Sequence, residues 1–148
     1  YAKSKHEFDL WALSQEKAPF YWKGLKFFNV YGSNEGHKGK MASMVYQMKQ
    51  QISETGKVRL FKSYHSEYAN GEQKRDFIHV DKVVAILFEY MLNRNESGIF
   101  NVGTGTARSF NEMAYNIFDE LKMHPSIEYI EMPEAIKDKY QYFTEAKL

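Results

Sequence analysis

Apolar residues recur along the chain in two periods, and the breaks between them mark the expected elements. Tyr1, Phe8, Trp11 and Ala12 stand at helical spacing among polar residues, so a helix is expected over residues 1–16. Ala18-Pro19 ends it, because a proline pushes the preceding residue away from helix. Gly24 opens Leu25-Lys26-Phe27-Phe28-Asn29-Val30-Tyr31, an aromatic and β-branched run that predicts one strand, closed by Gly32. A polar, glycine-rich loop follows over residues 32–40. Met41, Met44, Val45, Met48 and Ile52 then fall at helical spacing until Gly56 stops the helix, and Met41, Met44 and Met48 read as core. Val58-Arg59-Leu60-Phe61 predicts a strand, residues 62–75 a polar loop with an Asn70-Gly71 turn, and Asp76-Phe77-Ile78-His79-Val80 another strand. Asp81 is a suitable N-cap for the broad apolar face of Val83, Val84, Leu87, Phe88, Tyr90, Met91 and Leu92. Ile99-Phe100-Asn101-Val102 is strand-like and runs into Gly103-Thr104-Gly105-Thr106, read as a tight strand-to-helix turn. Ser109, with Glu112 three residues on, forms a capping box for a helix through Leu121. Ile127 to Ile130 is a last strand, and residues 134–139 a short helix.

This mixed alternation argues for an α/β fold. The strands are few for a complete sheet of that class, and the chain starts inside a patterned helix. It is therefore expected to be the C-terminal part of a longer protein. Composition narrows the partners. The 148 residues carry 20 Lys+Arg against 19 Asp+Glu, a net charge of +1, which leaves no electrostatic footprint for nucleic acid or an anionic membrane. A 43% hydrophobic and 26% charged chain has a globular balance. No apolar run approaches the ~18 residues of a membrane span, and the charged start is unlike a signal peptide. Without cysteine there are no disulfides and no thiolate metal sites, consistent with a reducing compartment. His6, His37, His65, His79 and His124 are scattered, so no metal is expected.

Tyr1-Ala2-Lys3-Ser4-Lys5 carries the first candidate chemistry. On a helix, residues i and i+4 share a face. An ammonium beside a phenol favours the phenolate and pulls the hydroxyl down from its ordinary pKa of about 10. Such a group can move a proton near neutral pH, as a carbonyl/alcohol redox reaction requires. The spacing alone is common on surface helices. It gains weight from Phe27-Phe28-Asn29-Val30-Tyr31-Gly32, Arg75-Asp76-Phe77-Ile78-His79-Val80-Asp81 and Gly98-Ile99-Phe100-Asn101-Val102-Gly103-Thr104-Gly105. Together and in this order, these segments resemble the extended short-chain dehydrogenase/reductases, the family of nucleotide-sugar epimerases and dehydratases. Glu35-Gly36-His37-Lys38-Gly39, then Met41-Ala42-Ser43, with Lys139-Tyr140-Gln141-Tyr142-Phe143-Thr144 at the end, resemble the ADP-heptose 6-epimerase branch of that family.

The resemblance implies the C-terminal portion of a Rossmann-like fold, with its small α/β substrate-binding domain. Residues 1–148 would be the C-terminal half of a nucleotide-sugar epimerase, in which the end of the NADP-binding domain interleaves with the substrate domain. The dinucleotide-binding half would be absent, and the isolated chain inert. The implied reaction inverts C6 of an ADP-heptose, a lipopolysaccharide core precursor, by transient oxidation with NADP (NAD is the alternative). Tyr1 and Lys38 are the implied acid/base pair. Lys5 and Val30 face the cofactor. Asn29, Lys40, Gln47, Phe61, Lys62, Ser63, Tyr64, Arg75 and Tyr140 face the substrate. Lys40 stands where the family commonly has a small hydroxyl residue, and Gln47 differs from the usual type. Gly103-Thr104-Gly105 lacks the remainder of a dinucleotide fingerprint. A cytoplasmic homo-oligomer is expected. The competing readings are a hexose 4-epimerase or dehydratase of the same family, or a non-catalytic fragment that only recognises sugar nucleotides or self-associates. Lys38 within Glu-Gly-His-Lys-Gly discriminates against the first.

Overall fold

The structure, a computed structural model, describes residues 2–94 and 96–148. Helix α1 spans Ala2–Leu13. The predicted strand 25–31 is divided into β1 (Lys23–Phe27) and β2 (Asn29–Tyr31). The division has a cause in pairing. β1 runs parallel to β6 (Gly98–Val102), whereas β2 runs parallel to β5 (Phe77–His79). Phe28 is the changeover: its N–H still donates to Val102, and the next N–H, of Asn29, donates to Asp76. β3 (Val58–Phe61) pairs in parallel with β8 (Ile127–Ile130). The short β4 (Lys74–Arg75), at the end of the expected loop 62–75, pairs antiparallel with β7 (Arg108–Ser109), and Lys74 also bridges to Phe143 of the tail.

Helix α2 (Met44–Thr55) starts later than expected. Ser43 is its N-cap and accepts from the N–H of Tyr46; Gly56 closes it in the left-handed region. Met41 therefore falls outside the helix, in a 3-10 segment over Gly36–Met41 where a plain loop was expected. Of the three methionines read as core, only Met48 is buried; Met41 is 86% exposed and Met44 38%. Gly39 breaks that 3-10 segment with φ +52 and ψ −124, a backbone conformation that favours glycine even though nothing crowds it. Helix α3 (Val80–Leu92) is capped by His79, whose Nδ1 accepts from the N–H of Asp81; the expected cap Asp81 lies in the first turn instead. On its broad apolar face only Val83 is fully buried, while Val84, Phe88, Met91 and Leu92 remain exposed. Ser109 caps α4 (Phe110–Glu120) as expected. The box is half made, because the Glu112 carboxylate pairs with Arg108 at 2.7 Å. Helix α5 spans Glu134–Lys137.

Two hydrophobic cores result. In the first, α2 and α4 pack on β3 and β8 through Met48, Ile52, Val58, Leu60, Ala114, Ile117 and Phe118. In the second, Ile78, Val83 and Val102 pack with Leu25, Val30, Ile86 and Leu87. Strand alternation in β5 supplies both: Phe77 goes to the first, Ile78 to the second.

The carboxylate of Asp76, fully buried just before β5, joins these parts. It accepts from the N–H and hydroxyl of Thr104 (2.7 and 2.6 Å), the N–H of Gly105 (2.9 Å) and the N–H of Ala146 (3.1 Å). A Cβ at Gly103 would lie 2.5 Å from the Ala146 methyl and 2.7 Å from this carboxylate, so glycine is required there. Burial alone would raise the Asp76 pKa, but the hydrogen bonds outweigh it and hold the carboxyl below its usual range. A depressed folded value means that the bonds stabilise the fold above the unfolded pKa of about 3.9 and stop doing so as pH falls through the folded value. Asp76→Ala is expected to lose ~3 kcal/mol of stability near neutral pH by urea unfolding, with the gap to the parent chain closing as the pH is lowered through that window.

Candidate active site

A cavity of about 230 Å³ opens beside the junction of β2, β3 and β4. Its wall draws on distant parts of the chain: Asn29 from β2, Arg59, Leu60 and Phe61 from β3, Gln73 and Arg75 at β4, Met44 and Phe110 from the first turns of α2 and α4, and Tyr140 from the tail. Asn29 is placed by its N–H bond to Asp76. Gln73, 1% exposed, fixes the wall by donating to the Phe61 carbonyl at 3.3 Å. Arg75 is held by its own chemistry. One nitrogen donates to the Lys74 carbonyl at 2.8 Å and another to the Gln141 carbonyl. The guanidinium carbon lies 5.3 Å from the Tyr140 ring centre and 5.9 Å from that of Phe110, within cation–π range. Burial lowers the Arg75 pKa, opposed by Tyr140; the group stays charged at any physiological pH. Burial likewise raises the Tyr140 hydroxyl, opposed by Arg75. Phe61 meets the Tyr140 ring edge-on at 6.4 Å.

Of the expected substrate residues, the cavity gathers Asn29, Phe61, Arg75 and Tyr140. It adds Met44, Arg59, Gln73 and Phe110, which the sequence does not single out. The position of Phe110 beside the cap Ser109 gives no hint of a cavity. That of Gln73 is visible only as burial. Lys62, Ser63 and Tyr64 are engaged elsewhere. Lys62 pairs with Glu131, and the Tyr64 hydroxyl donates to the same carboxylate. The Ser63 N–H donates to the Asn70 side chain at 2.9 Å. Lys62 and Tyr64 tie the 62–72 loop to the end of β8, and Ser63 braces the loop on itself.

The lysine segment is built around Glu35, which is 5% exposed. Its carboxylate accepts from the Gly32 N–H at 3.1 Å and from both the N–H and hydroxyl of Ser43 at 2.7 Å. Lys38 Nζ lies 3.6 Å away, half-exposed. Burial alone would raise the Glu35 pKa; the bonds from Ser43 and Gly32, helped by Lys38, lower it instead. Gln47 reaches back to donate to the carbonyls of Ala42 (2.8 Å) and Lys40 (3.4 Å), so it pins this segment to α2, and the Lys40 side chain is exposed. Neither Lys38, Lys40 nor Gln47 is on the cavity wall. Tyr1 lies outside the described residues. Lys5 is exposed on α1, and Val30 is half-buried against the second core.

The Gly103-Thr104-Gly105 segment is a turn, but it leads into the short strand β7 and not directly into α4 as expected. The N–H groups of Thr104 and Gly105 are both taken by Asp76, so they offer no cradle for a pyrophosphate. Among the described residues no group of His, Asp and Glu converges to hold a metal ion, and no helix is long and apolar enough to cross a membrane.

Parallel strands joined through helices, with a polar and aromatic cavity beside β2, β3 and β4, give this chain a Rossmann-like α/β fold. Residues 1–103 match the NAD dependent epimerase/dehydratase family, and the chain belongs to it. The chain is 48% identical, over 154 aligned residues, to the ADP-L-glycero-D-manno-heptose-6-epimerase of Fusobacterium nucleatum, covering 100% of this chain and 46% of that protein. The crystal structure of Helicobacter pylori ADP-L-glycero-D-manno-heptose-6-epimerase superimposes with a TM-score of 0.71 at 30% identity, over 98% of this chain and 46% of that one. A UDP-N-acetylglucosamine 4-epimerase of Methanobrevibacter ruminantium shares the fold, with a TM-score of 0.77 at 20% identity over 100% of this chain and 44% of its own. The chain thus spans about half the length of the curated relatives it matches.

Removal of the Glu35 carboxylate leaves the Gly32 and Ser43 N–H groups without their acceptor. Glu35→Ala is expected to speed amide hydrogen exchange at those two positions by about tenfold or more, with β3 and β8 amides unaffected.

Proposed function

We propose that this chain is the substrate-facing half of an ADP-heptose 6-epimerase. The observation that carries the reading is the convergence of Asn29, Phe61, Arg75 and Tyr140 from four separate segments on one cavity, in a chain whose relatives include heptose 6-epimerases aligned over its whole length. The ligand chemistry follows from that wall. Arg75, fixed by two carbonyls, offers its remaining N–H groups to a diphosphate. Asn29 can donate to and accept from a sugar hydroxyl or phosphate. Phe61 and Tyr140 present ring faces and edges to a base or sugar.

C6 of the heptose bears no adjacent carbonyl, so its hydrogen is not acidic and direct deprotonation is closed. Oxidation of the C6 alcohol to a ketone removes the stereocentre, and return of hydride to the opposite face restores it inverted. A bound nicotinamide supplies the transient hydride acceptor. This chain's part is proton management. Tyr1, with the ammonium of Lys5 one turn on, takes the hydroxyl proton as the C6 hydrogen leaves. Lys38, carried on the segment anchored by Glu35, serves the carbonyl when the other face is presented. The glycine-bearing turn is already occupied by Asp76, and in this reading Lys5 and Val30 are the groups that face the cofactor. The half that precedes this segment in the relatives would hold the dinucleotide, here taken to be NADP. The exposed apolar groups of α1 (Phe8, Leu10, Trp11) and α3 (Phe88, Met91, Leu92) are suited to packing against that half or a second subunit. A cytoplasmic role in lipopolysaccharide core precursor synthesis goes with this substrate.

The 148-residue chain with NADP and ADP-heptose is expected to give no turnover. In the full-length polypeptide, Tyr1→Phe and Lys38→Ala should each lower kcat by ~10²-fold or more. Epimerisation in heavy water should leave C6 free of deuterium; deuterium at C6 would show a deprotonation mechanism and overturn the proposal.

A further inference from the structure

We propose that Arg59 is a second phosphate-contacting residue of the cavity, paired with Arg75 to hold a nucleoside diphosphate. This rests on the reading of the cavity as a nucleotide site and deepens it. Strand alternation in β3 sends Val58 (0% exposed) and Leu60 (3%) into the α2–α4 core. Arg59 and Phe61 stand on the other face, and both line the cavity with Arg75. The strand is secured there independently of the Arg59 side chain, because the Arg59 N–H donates to Gln51 of α2 at 3.1 Å.

The charge pattern is one-sided. Arg59 and Arg75 both line a space of about 230 Å³, and no carboxylate lines it; the other polar wall residues, Asn29, Gln73 and Tyr140, are uncharged. Lysines around the same loops are paired, Lys62 with Glu131 and Lys137 with Glu134. Arg59 makes no ion pair among the described residues. Two like charges on one small cavity repel each other, and a ligand bearing two adjacent anionic groups relieves both. Arg75 has spent part of its donor set on the Lys74 and Gln141 carbonyls, whereas the Arg59 side chain has no hydrogen-bond partner among the described residues. A diphosphate offers a separate phosphate group to each guanidinium, whereas an uncharged nucleoside offers none.

The test is calorimetry on the 148-residue chain with ADP and with adenosine, at two salt concentrations. Arg59→Met keeps much of the side chain's bulk and removes the charge. It is expected to weaken ADP binding about tenfold and to flatten its salt dependence, with adenosine binding unchanged and the melting temperature preserved. Arg59→Lys should recover much of the loss. Equal ADP affinity in the parent chain and Arg59→Met would overturn the role of Arg59 and leave the cavity reading standing. A matching loss for adenosine would overturn it as well, because it would mark Arg59 as wall packing. Absence of ADP binding to the parent chain would overturn both readings together.

Discussion

The buried carboxylate of Asp76 is the constraint on which the arrangement depends. It leads into β5, which feeds both cores, and it takes the amides of the turn after β6 and of the C-terminal tail. The same residue's carbonyl accepts from Asn29 at the head of β2. One side chain and its own backbone thus set the relative positions of β2, β6 and the tail. Arg75, the residue before it, inherits its place from this junction. So does Tyr140, because the tail that carries it is tied to β4 on one side and to Asp76 through Ala146 on the other.

Electrostatics divides the charged groups into two kinds. Asp76 and Glu35 are buried acids whose hydrogen bonds more than offset desolvation, so both remain carboxylates and act as fixed acceptors that organise loops. Arg75 is a half-buried base within cation–π range of two rings and bonded to carbonyls, with charge left over for a ligand. The first kind determines where the backbone goes. The second determines what the resulting space can bind.

Several features were legible in the sequence because they are local. Ser109 and Gly56 mark helix ends by backbone hydrogen bonding and by the left-handed conformation, and both act as their residue types suggest. The family motifs led to Asn29, Phe61, Arg75 and Tyr140, which the structure brings to one cavity. Other readings failed for tertiary reasons. Met41 fits the helical period of α2, but the Ser43 hydroxyl caps the helix by accepting from the free N–H of Tyr46, so the helix begins after Met41. His79 displaced Asp81 as a cap because β5 ends on it with its imidazole directed at the first turn. Gln47 and Lys62 carry groups suited to a ligand, yet each has a nearer intramolecular partner.

The sequence by itself determined the α/β class, most element boundaries and the family, since periodicity, caps and ordered motifs act over a few residues. The tertiary structure alone decided that one strand serves two partners, that Glu35 anchors the lysine segment, and that Arg59 shares a cavity with Arg75. Those outcomes depend on which distant segment arrives alongside, and that is set by long-range burial and by the competition among buried polar groups for partners.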